Sequence, residues 1–404
     1  MIESAYNKKS KTIVLTLLFL TWIVNYLDKN SMNIAIVAIS KQFQLTPTQS
    51  GMVISSFFLA YAIMQLIGGY LTDKHGSRKV ILASLLVWSV FTVFTGFAWS
   101  FASLLVIRFL FGLGEGSFPS ASSVALAETF PKEERARAKG VLTSATAIGA
   151  IVASLLAALM IKSVGWNVMF YLFGAVGFVF SLLLWKYLRP AGQSVKSDRP
   201  KVSMAKVLKN PLAWKLMLIY FGISMVNWGL SSWMPSYWVN VRHIELVKTG
   251  MISIIPVVFS LLAINSSSWL MDKMGAGKER FIIIAGSLIG IISLFLMMNA
   301  GSVTMAVTYL CIANLGVGLT TVVLAMPLKY FSQDSMGSTV GIMYFGGQMA
   351  GTIAPTLMGY MITLFGGSYD AAFTLLIVSL VIPIITCFFL RLNKSHLDER
   401  TKAA

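Results

Sequence analysis

Long apolar stretches alternate with short polar connectors along nearly the whole chain of 404 residues. Each stretch holds about 20 residues or more, enough for an α-helix to cross the roughly 30 Å of hydrocarbon in a bilayer. The pattern therefore predicts an all-α polytopic membrane protein with twelve transmembrane helices. The predicted spans are residues 12–40, 48–72, 79–98, 101–130, 138–161, 165–188, 213–241, 249–271, 280–299, 302–330, 336–365 and 370–391.

The longest polar stretch inside the chain, residues 189–212, is rich in Lys, Arg and Pro. Connectors rich in Lys and Arg favour the cytoplasmic side of a membrane. The stretch therefore predicts a cytoplasmic central loop. It separates an N-terminal six-helix half, residues 1–188, from a C-terminal six-helix half, residues 213–404.

An internal repeat supports this division into halves. Segment 69–76 follows the second predicted helix, and the similar segment 269–275 follows the eighth. Parallel repeats are typical of transporters whose halves rock around a site near the bilayer midplane. The glycines expected to correspond are Gly112 and Gly114 in the fourth helix, with Gly316 and Gly318 in the tenth.

The net charge of +17 does not indicate a nucleic-acid partner, because the basic residues lie in connectors and not along one soluble face. Only 12% of the residues are charged, against about 25% in soluble domains. The Lys/Arg bias predicts that both termini are cytoplasmic, and the first apolar stretch is too long for a removable signal peptide. The basic residues predicted to lie outside are Lys41, Lys162, Arg242 and Lys248.

Cysteine and histidine usage argues against an enzyme. Cys311 and Cys387 both fall inside apolar stretches, and His75, His243 and His396 lie in connectors or the tail. This arrangement offers neither a disulfide framework nor the spacing of metal ligands. We therefore expect no metal, no cofactor and no catalytic residues.

Four charged residues fall inside predicted spans: Asp28 and Lys29 in the first, and Arg108 and Glu115 in the fourth. Ionisable groups at membrane depth are costly, so they usually face a protein-lined, watery cavity and act there. Arg108 and Glu115 are two helical turns apart, which places both on one helix face about 10 Å apart. A structural alternative is that the four form permanent ion pairs between helices.

The loop Gly69-x-Leu71-x-Asp73-Lys74-x-Gly76-x-Arg78-Lys79 resembles the signature loop of the major facilitator superfamily, which has two six-helix halves. Asp272 lies in a partial echo of that loop in the second half. The resemblance implies that Asp73, Arg78 and Asp272 serve as a cytoplasmic latch of ion pairs between helix ends.

A narrower resemblance covers essentially the whole chain. Segments 25–29 and 108–119 are similar to motifs of the anion:cation symporter family, whose bacterial members carry hexuronates, aldonates and aldarates. Two positions depart from that family, which usually has Arg at position 29 and commonly has Asn at position 348. Lys29 is a compact point charge without the planar fork of arginine, so the substrate of a relative does not transfer directly.

The resemblance implies that the first, fourth, seventh and tenth helices line a central cavity. Lys29 and Arg108 would then bind the substrate carboxylate, while Asp28 and Glu115 would exchange protons. Burial disfavours a charged carboxyl and a nearby cation favours it, so arrival of an anion can change protonation. The neutral candidate contacts, which also suit helix packing, are Tyr61, Gln65, Tyr220, Asn227, Trp228, Asn314, Tyr344 and Gln348.

These features together predict a proton-coupled symporter for an organic anion, with a sugar acid such as a hexuronate, aldonate or aldarate as substrate. We expect a monomer in a bacterial plasma membrane, with sodium left open as the coupling ion. The alternatives are a drug–proton antiporter and a carrier of other organic or aromatic acids. The antiporter is disfavoured because helix five lacks a Gly-Pro element and the predicted cavity is cationic.

Overall fold

The computed structural model describes residues 8–189, 208–274, 277–331 and 333–390, and all regular structure within these ranges is helical. A short 3₁₀ turn, Thr320–Leu324, separates two of the helices. The helices are α1 Lys8–Phe43, α2 Pro47–His75, α3 Ser77–Gly96, α4 Phe101–Glu115, α5 Phe118–Thr129, α6 Lys132–Tyr187, α7 Pro211–Asn240, α8 Leu246–Met274, α9 Glu279–Met298, α10 Val303–Leu319, α11 Met326–Tyr330, α12 Gln333–Leu364 and α13 Asp370–Phe388.

Within the described residues, nine helical segments are long and apolar enough to cross a membrane. One of them is α6, in which Gly165 leaves the helical conformation at φ 85° and joins two helices. The predicted spans 138–161 and 165–188 are therefore continuous except at this residue. The all-helical membrane fold is confirmed, while the count of twelve spans stays a prediction because α7 and α12 are not among the nine segments.

The ends of several helices follow from local sequence. Thr46 caps α2 by accepting from the Gln49 amide, and the Gln49 side chain accepts from the Thr46 amide in return. Such a reciprocal capping box satisfies two amides that a helix start leaves unpaired. The tight connection from α2 to α3 passes through Gly76 at φ 83°, a region where a side chain is strained.

The chain forms two compact units: Met1–Lys196 with Trp233–Ser253, and Ser197–Ser232 with Ile254–Ala404. They differ from the predicted halves because Trp233–Ser253 belongs to the first unit. This segment packs closely on the first unit at Gly250, where a Cβ would lie 2.6 Å from the Ser154 carbonyl oxygen. Most of the predicted central loop, 189–212, lies outside the described residues.

The two units repeat one packing arrangement, in a register that differs from the predicted one. Gly114 packs on α3 at Trp88, and Gly316 packs on α9 at Gly286. A Cβ at either glycine would lie within 3.0 Å of backbone atoms of that helix. Gly114 therefore corresponds to Gly316, and the predicted match of Gly112 with Gly316 is wrong by two residues.

The next glycine in each unit confirms this register. Gly116 packs on α2 at Tyr61, and Gly318 packs on α8 at Ala263. The helix that contains them is interrupted in both units, between α4 and α5 and at the 3₁₀ turn after α10. In this register, Val317 of the second unit occupies the position of Glu115.

Candidate functional site

The four charged side chains predicted from the sequence are buried together in the first unit. Asp28, Lys29, Arg108 and Glu115 are between 1 and 7% exposed. Asp28 and Lys29 each lie within electrostatic range of both Arg108 and Glu115. The helices α1 and α4 thus bring two acids and two cations to one place, as the sequence predicted.

Glycines hold α4 close to its neighbours and so position Arg108 and Glu115. A Cβ on Gly112 would lie 2.4 Å from the Phe57 carbonyl oxygen of α2. Gly114 approaches α3 in the same way. Helix α4 therefore sits in direct backbone contact with α2 and α3, and these glycines serve close packing.

The Lys29 ammonium is enclosed by four aromatic rings, which we call the Lys29 cage. The distances from Nζ to the ring centroids are 5.6 Å for Tyr26, 5.1 Å for Phe57, 5.2 Å for Phe58 and 4.8 Å for Tyr61. Aromatic faces attract a cation, by about 2 kcal/mol or more where water is excluded. The cage therefore offsets part of the cost of burying the ammonium.

The guanidinium of Arg108 also packs on aromatic rings. Its Cζ lies 4.4 Å from the Phe111 centroid and 5.3 Å from the Phe57 centroid. Phe57 consequently contacts both buried cations. The Arg108 Nε is buried and has no hydrogen-bond acceptor among the described residues, so this donor is open to a ligand.

The two acids have few direct partners. The Thr92 hydroxyl of α3 lies 3.3 Å from Asp28 Oδ2, and Asp28 Oδ1 has no partner in the described part of the chain. Both Glu115 oxygens are buried without a hydrogen bond of good geometry to those residues, although Asn25 lies close to this carboxyl. The acids are therefore not locked in permanent hydrogen-bonded pairs.

The two neutral candidates of the first unit differ in their surroundings. Tyr61 is buried and belongs to the Lys29 cage. Gln65 lies one turn further along α2 and is partly buried, next to the close approach of Gly116. Both lie on the α2 side of the charged cluster.

In the second unit, Tyr220, Trp228 and Tyr344 lie where α7 packs on α12. The rings of Tyr220 and Tyr344 meet edge to face at 5.8 Å, and the Trp228 indole donates to the Gly347 carbonyl at 3.2 Å. Gln348 presents a buried Oε1 without a donor among the described residues. These contacts serve helix packing, and the Gln348 oxygen is left available.

The two asparagines of the second unit are placed differently. Asn227 on α7 is exposed. Asn314 on α10 is partly buried, and its amide donates to the Leu310 carbonyl of its own helix at 2.9 Å. The structure therefore does not bring Asn314 into the α7–α12 group within the contacts it records.

The predicted cytoplasmic latch does not appear as a set of ion pairs in the described residues. Arg78 donates to the Trp185 carbonyl at 2.5 Å, which ties the start of α3 to the end of α6. Asp73 is exposed and forms no ion pair there. The side chain of Asp272 lies outside the described part of the chain.

The second unit has a buried acid that was not predicted from the sequence. Glu279, at the start of α9, accepts from Lys329 and from the Tyr330 hydroxyl, each at 3.1 Å, and from the Gly277 amide at 2.8 Å. The cluster ties α9 to α11. Two features of the sequence could have indicated this cluster: the acid Glu279 at a predicted helix start, and the basic Lys329 near the end of the tenth predicted span.

The Lys29 cage and Thr92 were also not predicted. The cage could have been suspected from Phe57, Phe58 and Tyr61, because residues three and four apart on a helix share one face. Thr92 carries no comparable signal, since a threonine inside an apolar helix usually bonds its own backbone.

Comparisons with known proteins agree with the fold. The profile of the Major Facilitator Superfamily matches residues 18–354. The hexuronate transporter of Bacillus subtilis is 27% identical over 388 residues, covering 91% of each chain. The D-galactonate transporter of Escherichia coli O6:H1 is 24% identical, covering 90% of this chain and 92% of its own.

Among solved structures, a bacterial homologue of the human lysosomal transporter Spinster, inward-facing and occupied, superimposes with a TM-score of 0.82. It is 19% identical and the match covers 95% of this chain and 97% of that one. A likeness at this identity shows the fold. The profile match covers most of the chain, so this multi-pass membrane carrier, which is not an enzyme, belongs to the Major Facilitator Superfamily.

Proposed function

We propose that this protein is a proton-coupled symporter of an organic anion, with a sugar acid such as a hexuronate, aldonate or aldarate as substrate, working by alternating access. The observation that carries the proposal is the burial of Asp28, Lys29, Arg108 and Glu115 in one cluster. Buried charges cost several kcal/mol each unless they are well paired. A cluster that leaves both acids short of partners favours a functional role over a structural one.

The two cations suit a carboxylate. The Phe111 ring lies 4.4 Å from the Arg108 Cζ, and the guanidinium carries N–H donors that bind a carboxylate in a planar fork. One of these donors, Nε, has no acceptor among the described residues. Lys29 adds a compact charge that the cage holds in place. A carboxylate that arrives here finds positive charge already desolvated and fixed, which reduces the cost of ordering on binding.

The geometry at Asp28 suits a carboxyl that changes its protonation. The Thr92 hydroxyl lies within bonding distance of both the Trp88 carbonyl, at 2.9 Å, and Asp28 Oδ2, at 3.3 Å. A hydroxyl has one hydrogen but can also accept. When the Thr92 hydroxyl donates to the Trp88 carbonyl, a protonated Asp28 can donate a hydrogen bond to the Thr92 oxygen. When Asp28 is ionised, it can instead accept a hydrogen bond from the Thr92 hydroxyl.

Glu115 is the second proposed proton site, because it lies within electrostatic range of both cations. An incoming anion competes with Glu115 for Lys29 and Arg108, so protonation of Glu115 favours anion binding. Proton and anion then bind together, which is the requirement for symport. The reciprocity of linked binding means that the anion also promotes protonation.

The relatives support the substrate class, since the two described above are named for hexuronate and D-galactonate. Both are hydroxylated carboxylates. Within the second unit, Gln348 has a buried side-chain oxygen without a donor among the described residues and Asn227 is exposed. Both stay predicted contacts for sugar hydroxyls. In binding sites, a few such groups fix the orientation of a ligand.

The test is uptake into proteoliposomes that contain the purified protein. With the interior alkaline, we expect labelled glucuronate, gluconate or galactarate to accumulate, and a protonophore to abolish the accumulation. A sodium gradient at equal pH serves as the second arm. Accumulation driven by a sodium gradient alone would mean that sodium, and not the proton, is the coupling ion. Counterflow that neither gradient affects would mean that the protein is a uniporter.

An aromatic acid is the second candidate substrate, because aromatic rings surround both cations of the site. A flat ring bearing a carboxylate could pack on these faces. A thermal-shift titration with benzoate beside glucuronate decides between the two classes. Stabilisation by benzoate without stabilisation by any sugar acid would favour the aromatic acid.

A further inference from the structure

A groove lies in the first unit, and none of the four charged residues of the cluster lines it. It has a volume of about 520 Å³ and lies between α2, α3 and α4. Its walls include Met64, Leu71, Ala83, Val87 and Leu113. The proposed transport cycle assigns no role to this groove.

The length of the groove matches one leaflet of a bilayer. It runs along α3 from Lys79 to Val87 and along α2 from His75 to Met64. At 1.5 Å per residue these stretches measure about 12 and 16 Å. Half of the roughly 30 Å hydrocarbon core is about 15 Å, so the groove extends from the α2–α3 connector to about the midplane.

The interior of the groove offers little to a polar ligand. Its two serines, Ser84 and Ser117, lie with their hydroxyl oxygens 2.5 Å apart and bond each other. The remaining walls are mainly apolar. An apolar chain therefore suits the interior better than a hydroxylated acid does.

One end of the groove is basic. His75 and Lys79 line it at the α2–α3 connector, and both are exposed. Lys74 and Arg78 flank them, while the acids of this region are Asp73 and Glu128. Glu128 accepts the Ser77 hydroxyl. Cations outnumber acids here, and α3 begins without a side-chain cap or an acidic residue in its first turn.

We propose that this groove binds one anionic phospholipid of the cytoplasmic leaflet. An acyl chain lies between α2, α3 and α4, and the phosphate contacts Lys79 and an N–H of His75. Basic pockets between transmembrane helices on the cytoplasmic side suit such headgroups. The occupant is a lipid because an apolar groove one leaflet deep ends in positive charge where headgroups lie.

The location suggests what a bound lipid does. The floor of the groove includes Gly114 and Ser117, on either side of Glu115. Helix α4 ends at Glu115 and α5 begins at Phe118. A lipid in the groove therefore packs against the break beside the proposed proton site and stabilises its present geometry.

The test is native mass spectrometry of the detergent-purified protein, titrated with phosphatidylglycerol or with phosphatidylcholine. We expect wild type to retain one phosphatidylglycerol beyond the non-specific distribution. Lys79→Gln should weaken that binding about tenfold, the loss expected for about 1.4 kcal/mol of headgroup interaction. Lys186→Gln is the matched control, because Lys186 is an exposed lysine on α6 that does not line the groove.

A second variant tests the groove without changing charge. Ala83 is exposed on the groove wall, so Ala83→Phe fills the space while the basic end stays intact. We expect it to prevent retention of the lipid while the variant keeps its melting temperature. Equal retention by wild type, Lys79→Gln and Ala83→Phe would overturn the proposal, and so would equal retention of both lipids. Mass spectrometry needs no transport, so this result stands apart from the proposed function.

Discussion

At the scale of single residues, the unusual feature is how the buried charges are compensated. Lys29 lies in a cage of four rings and Arg108 packs on Phe111, while the Glu115 oxygens lack hydrogen bonds of good geometry to described residues. A structural ion pair would be expected to show direct N–H donors on the carboxylate. The two cations thus pack on the faces of aromatic rings, and the two carboxyl groups are able to change their protonation.

Glu115→Gln tests the coupling at this scale. The amide keeps the shape of the side chain but cannot release a proton. We expect exchange of labelled for unlabelled substrate to persist, while accumulation driven by a pH gradient is lost. Accumulation at the wild-type level in proteoliposomes would remove Glu115 from the proton path. Glu128→Gln is the control, since Glu128 bonds Ser77 at the α2–α3 connector.

Lys29→Arg tests the Lys29 cage. The ring centroids lie 4.8 to 5.6 Å from the ammonium, a space suited to a compact cation. A planar guanidinium must displace rings to enter, so we expect about a tenfold loss of substrate affinity, equivalent to about 1.4 kcal/mol. Titration followed by thermal shift measures it. Wild-type affinity in this variant would mean that charge alone is used at this position.

At the scale of helices, α4 is positioned by contacts that only glycine allows. Gly112 faces the Phe57 carbonyl and Gly114 faces the Trp88 backbone, on two different neighbouring helices. Any side chain would push α4 outward and move Arg108 and Glu115 with it. Helix α4 can therefore pack this closely only because these two glycines have no side chain.

Gly112→Ala should show this effect. The added Cβ would meet the Phe57 carbonyl oxygen at 2.4 Å, so α4 must shift. Overpacking typically costs about 1–3 kcal/mol. We expect a lower melting temperature and weaker substrate binding. Gly140→Ala is the control, because nothing lies within 4 Å of a Cβ there. Equal stability of the two variants would contradict the packing argument.

Helices were predictable because their apolar length is a physical requirement of the bilayer, and the four charges were predictable because they violate that requirement. The repeat register was not, since sequence spacing alone could not tell which glycine contacts which neighbour. The contacts of Gly114 with α3 and of Gly316 with α9 establish that these two glycines correspond. The spacing of Phe57, Phe58 and Tyr61 shows that these rings share a helix face, but their contact with Lys29 depends on how α1 packs against α2.

At the scale of the whole molecule, the two units share packing but not charge. Gly116 and Gly318 make equivalent contacts, yet Val317 stands where Glu115 would be expected. The buried acid of the second unit, Glu279, lies instead at a helix start and pairs with Lys329. The proposed anion and proton site therefore lies in the first unit.

The predicted orientation can be tested on the intact protein in cells. We expect His243→Cys to react with a membrane-impermeant maleimide and His75→Cys to react only after permeabilisation. Both native cysteines, Cys311 and Cys387, are buried, so they should give little background. Labelling of position 75 in intact cells would reverse the assignment of the termini to the cytoplasm.

The ring of Phe57 contacts the side chains of two residues that are distant in sequence, Lys29 and Arg108. It lies 5.1 Å from Lys29 Nζ and 5.3 Å from Arg108 Cζ. An aliphatic side chain there would weaken the support of both cations at once, so we expect the effects of substitutions at positions 29 and 108 to depend on residue 57. A change of specificity during evolution that alters either cation therefore requires that the aromatic residue at position 57 is kept, or that it is replaced together with the cation.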